Sequence, residues 1–153
     1  MKKIYVYKET QLFHILIVFI IVFLASFQAL LYFGEETYAS LNSVIGITVV
    51  FVVLILLFFN FTIAITEDHL KLSFGLGIIN IKYSLKNMLR ESIAQEKIPG
   101  WFGMGIRLAP GGRLVFNTKP GMAVCFNLVT SRFRVCIVTN NPDELECVLK
   151  EQC

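Results

Sequence analysis

The stretch "GWFGMGIRLAPGGRLVF", residues 100–116, sets five glycines around Trp101, Phe102, Arg107 and Arg113. Glycines this close together can shape a loop that cradles phosphate. A P-loop also needs Lys followed by Ser or Thr, to reach phosphate and Mg²⁺. Neither "GWFGMG" nor "APGGRL" supplies them. A dinucleotide fingerprint needs G-x-G-x-x-G between a strand and a helix. Gly75 and Gly77 lack the third glycine, and Gly100, Gly103 and Gly105 stand in the wrong order. The glycines are therefore expected to serve turns and close packing in a long connection between two strands, and no cofactor is expected. Cys125, Cys136, Cys147 and Cys153 include no C-x-x-C pair and have no histidine near in sequence, so no metal site is expected. His14 and His69 assemble no Ser/His/Asp set, and the chain reads as a non-enzyme.

The elements that would position these residues begin with two apolar runs. The chain has 153 residues, 56 % hydrophobic and 16 % charged, against about 25 % charged in an ordinary domain. No Asp, Glu, Lys or Arg lies between Glu9 and Glu35, or between Glu36 and Glu67. Each run exceeds the roughly 20 residues a helix needs to cross a bilayer. Two transmembrane spans are predicted, over about residues 11–33 and 41–60, within an N-terminal hairpin of residues 1–60. A cleaved signal peptide would have a shorter apolar core, and "LLYFGEET" is a poor cleavage site. Lys2, Lys3 and Lys8 precede the first run, and the connector carries two acids and no base. Basic flanks stay inside, so both termini are expected in the cytoplasm, in a multi-pass protein of the inner membrane. Reduced thiols follow from that location. Ala25, Gln28, Ala29 and Gly46 read as a helix-packing patch.

Residues 61–153 change period and read as a cytoplasmic domain. Seven strands are expected: two in "FTIAITEDHLKLSFGLG" on either side of a tight turn at Glu67–His69, then "INIKYSL", "SIAQEKI", "RLVFNT", "MAVCFNLVT" and "RFRVCIV", with "SIAQEKI" at an edge. "NPDELECVLKEQC" reads as a closing helix, with Asn141 as N-cap, Pro142 in the first turn, and Asp143 and Glu144 at its positive end. A turn at Thr130–Ser131 would pair residues whose numbers sum to 261. Phe126 then faces Val135 and Val124 faces Ile137 on an apolar face, with Cys125 opposite Cys136 on a solvent face.

Seven strands and a C-terminal helix, with "FGLGIINIKYSLKNM", "GMGIRLAPGGRLVFNT", "AVCFNL" and "TNNPDELECVL", resemble bacterial pleckstrin-homology-like (PH-like) domains behind a two-helix membrane hairpin. The resemblance implies an α+β architecture: a membrane α-helical hairpin plus a seven-stranded PH-like β-sandwich or barrel capped by a helix. It implies no catalytic residues. Phosphoinositide-binding members use basic residues at the first hairpin turn, where this chain has Glu67-Asp68-His69. The expected function is a scaffold or recruitment module for a protein partner at the inner membrane, docking on the edge strand near Ser92–Ile98. The alternatives are a stress or immunity factor acting through the hairpin, and anionic-lipid contact by the domain. Trp101 and Phe102 either cap the barrel or meet the bilayer interface. Arg107 and Arg113 are either solvated or contact headgroups. The lipid bilayer and a protein are the expected partners, nucleic acid is not, and a homo-oligomer is left open.

Overall fold

The computed structural model describes residues 5–33, 41–100 and 103–152. In chain order the elements are β1 (Tyr7–Leu12), α1 (His14–Phe33), α2 (Leu41–Phe58), β2 (Asn60–Ile65), β3 (His69–Phe74) and β4 (Ile79–Ser84). After two 3₁₀ turns come β5 (Ala94–Ile98), β6 (Gly105–Ala109), β7 (Arg113–Asn117), β8 (Gly121–Phe126), β9 (Arg134–Val138) and α3 (Pro142–Gln152). The strands form two sheets, ordered β1-β2-β3-β4 and β5-β8-β9-β7-β6.

Alternation in sequence builds the core between them. Phe61, Ile63, Ile65, Leu70, Leu72 and Phe74 project from the first sheet, and Phe116, Val124, Phe126, Val135 and Ile137 from the second. Leu145 and Leu149 of α3 complete this cluster. The β8–β9 register is the expected one, with Phe126 opposite Val135, Val124 opposite Ile137 and Cys125 opposite Cys136. The turn is longer than two residues: the Ser131 N–H donates to the Leu128 carbonyl at 3.3 Å, and the Phe133 N–H to the Ser131 hydroxyl at 3.1 Å.

The expected PH-like order is not what forms. The described residues hold nine strands in a four-stranded and a five-stranded sheet. In the second sheet β7 and β9 run parallel, so it is mixed. One added strand, β1, comes from "YKETQL", which runs from the flank before the first predicted span into its first two residues. Its Tyr7, Glu9 and Gln11 stand opposite Ile65, Ile63 and Phe61. The other, β6, comes from the glycine-rich stretch and pairs antiparallel with β7.

The membrane hairpin is corrected as well. Among the described residues no helix is long and apolar enough to cross a membrane. The multi-pass inner-membrane location falls with it. The two helices interrupt a β-ribbon instead: Leu12 of β1 is opposite Asn60 of β2, and the Phe13 N–H donates to the Phe59 carbonyl at 3.1 Å. The connector 34–40, expected outside the cell, lies outside the described residues.

Candidate functional site

The glycine-rich stretch is placed by its own backbone. Gly103, Gly105, Gly111 and Gly112 all have φ between 69° and 100°, where a side chain is strained. Gly111 and Gly112 turn β6 into β7. This geometry ends at strands, not at a helix N-terminus, as the sequence reading expected. Trp101 and Phe102 lie outside the described residues.

Pairing sends Arg107 and Arg113 to the outer face of the five-stranded sheet. Arg107 stands opposite Val115, and Arg113 opposite Ala109 on β6 and beside Arg134 on β9. The same face carries Cys125, Cys136 and, two strands away on β5, Glu96. Arg113 meets the Glu96 carboxylate at 3.3 Å and Arg134 meets it at 3.0 Å. Arg134 also donates to the Ser92 carbonyl at 3.3 Å. All three charged side chains are partly exposed.

Beneath this clamp Cys125 and Cys136 are joined in a disulfide, with Cα atoms 4.1 Å apart. The separation follows from the ladder. The Thr139 N–H donates to the Met122 carbonyl, which makes 122/139 a hydrogen-bonded pair and 125/136, three steps on, a non-hydrogen-bonded one, where side chains come closest. Two expectations are corrected here. The pair is not reduced, and it does not face solvent: both cysteines are 0 % exposed, within a second apolar cluster of Ile98, Ala109, Val115, Ala123 and Val138. A β-sheet face fringed by long side chains can bury its middle, and alternation alone does not reveal this. A Glu96 oxygen and both sulfurs lie within 4.8 Å of one another. Glu96 and Arg134 were missed as site residues, because nothing in "SIAQEKI" or "RFRVCIV" marks them as neighbours.

A second polar cluster joins the two sheets. Glu9 accepts from the Tyr7 hydroxyl at 2.7 Å, Gln11 at 2.9 Å, the Asn140 N–H at 2.9 Å, the Asn140 side chain at 2.6 Å, and the Thr139 hydroxyl. Gln11, itself buried, donates to the Val138 carbonyl at 2.9 Å and accepts from Thr118 at 2.6 Å. Burial pushes the Glu9 carboxyl up, but the hydrogen bonds from Thr139, Tyr7, Asn140 and Gln11 outweigh it and hold the group below its ordinary value. Burial pushes the Tyr7 phenol well up, with Glu9 adding to the shift and Thr139 opposing it. Both oxygens of Glu9 accept hydrogen bonds, and the cluster fastens β1 to the end of β9.

His14 and His69 are exposed and start different elements, α1 and β3. No family model, no curated protein and no solved structure matches the chain.

Proposed function

We propose that the protein is a docking module that recruits a protein partner by strand addition along β5, with lipid covering the apolar faces of α1 and α2. The observation that carries the recruitment reading is the open edge of β5. This strand ends its sheet and, among the described residues, pairs only with β8. Met122 and Val124 bond towards β9, so Cys125, Ala123 and Gly121 bond towards β5, where they face Ala94, Glu96 and Ile98. Gln95 and Lys97 are left with backbone groups aimed at the open edge. An extended segment of a partner would bond there.

Lipid contact has its own support. Val18, Phe19 and Val50 are 59 %, 64 % and 57 % exposed, and Ile15, Ile21, Val22, Ile45, Val49, Val52 and Val53 are also exposed. Helices apolar all round are stable when they are covered all round, and a patch of this extent on a lone chain in water is not. Contact with acyl chains is proposed here, not passage across a bilayer.

Two experiments test the reading. The partner recovered with the full chain should be lost with Lys97→Pro, which removes an outward-facing N–H, and kept with Lys97→Ala, which removes the charge alone; equal recovery from wild type and Lys97→Pro overturns strand addition. On removal of detergent the full chain should stay monodisperse when lipid vesicles are supplied and precipitate when they are not. A chain that stays monodisperse without either overturns the lipid contact.

A further inference from the structure

We propose that Cys125, Cys136 and Glu96 form, in the dithiol state of the chain, a three-ligand site for a thiophilic divalent cation of the zinc class. A Glu96 carboxylate oxygen lies within 4.8 Å of both sulfurs, so once the sulfur–sulfur bond is broken and the sulfurs separate, the three can converge on a single tetrahedral ion. The two cysteines occupy a non-hydrogen-bonded pair, so their side chains rise side by side from the sheet. Ala94 and Ala123, neighbours on the same face, have small side chains.

The electrostatics are neutral to the exchange. A cystine carries no charge, and two thiolates with one divalent cation also sum to zero. The Arg113–Glu96–Arg134 clamp therefore keeps the net charge beneath it unchanged whether a bond or an ion joins the sulfurs. The arginines act as positioning residues, each holding one side of the Glu96 carboxylate. A three-ligand site leaves one position of the tetrahedron open.

The chemistry balances in two steps. Two equivalents of a small thiol reduce the Cys125–Cys136 bond, giving two protein thiols and one small-molecule disulfide. The cation then displaces one proton from each thiol as the two metal–sulfur bonds form. Oxidised, the pair has no thiolates and the site does not exist, so cation uptake reports the redox state of the chain.

The test uses the full chain in mild detergent, reduced by a thiol and freed of it anaerobically, titrated with Co²⁺ and then Zn²⁺. The expected result is one Co²⁺ per chain with thiolate-to-cobalt charge-transfer absorption, displaced by one Zn²⁺, and no such uptake by the oxidised chain. Cys147→Ser/Cys153→Ser should keep the uptake, Cys125→Ser/Cys136→Ser should lose it, and Glu96→Gln should weaken it at least about tenfold. The comparison of reduced with oxidised wild type needs no variant to fold. Absence of stoichiometric uptake by the reduced wild type overturns the proposal, as does uptake that follows Cys147 and Cys153.

Discussion

Glu9 is charged in the fold because five donors surround it, two of them supplied by Asn140. Its carboxyl titrates below the ordinary value. In the window between the folded and unfolded values the unfolded chain binds more protons, so stability rises with pH there. The contribution is present above the unfolded value and is lost as pH falls through the lowered folded one. Thermal melts of the full chain in mild detergent, from about pH 6 down to about pH 3, should fall more steeply for wild type than for Glu9→Gln. Parallel curves would mean that Glu9 does not couple to folding. Little of this was legible in "YKETQL". A lone Glu in an alternating segment looks like surface until the strand is paired and its donors arrive from residues 139 and 140.

Gly75 is the clearest case of an element dictating a residue. The β3–β4 turn folds back on the end of α2, where the Leu76 N–H donates to the Leu56 carbonyl at 3.3 Å, answering one of the helix's orphan acceptors. Gly75 has φ 57°, and a Cβ there would lie 2.3 Å from the carbonyl oxygens of Leu56 and Leu57. Gly75→Ala should cost at least about 1–3 kcal/mol in chemical denaturation. A neutral effect would mean the turn does not seat on α2. On the β8–β9 ribbon, Phe126 is fully buried, and Phe126→Ala should cost about 3–5 kcal/mol. Lys97→Pro should cost much less, because the lost N–H bonds no strand of the sheet; a large loss would show that the assigned ladder is out of phase by one.

At the scale of the molecule, α1 and α2 are an excursion from a ribbon that is already closed. Phe13 and Phe59 meet at its end, so Asn-Gly could join them as a two-residue turn in place of residues 14–58. That excised chain should still melt cooperatively, at lower temperature, since Leu16 and Phe58 pack against the core from the helices. It should also stay monodisperse without detergent. If it still precipitates, the apolar surface that needs cover lies on the sheets and not on α1 and α2.

What the sequence determined by itself is local. Period-two alternation marks β2, β3, β4, β7, β8 and β9, and the pairing of Phe126 with Val135 follows because a one-residue slip would mix apolar and polar faces. Asn141, Pro142 and the acids of the first turn mark α3, and the Leu145 N–H does bond to the Asn141 carbonyl at 3.0 Å. The apolar runs mark α1 and α2. Only the tertiary structure decided the rest. It placed β1 beside β2 across the whole helical excursion, set β7 parallel to β9, and buried the cystine under a clamp of Glu96, Arg113 and Arg134. It brought Thr139 and Asn140 to Glu9 across 130 and 131 residues. Such contacts join segments whose separate patterns are each complete. The free energy that selects them comes from burying two sheets against each other, which no single segment encodes.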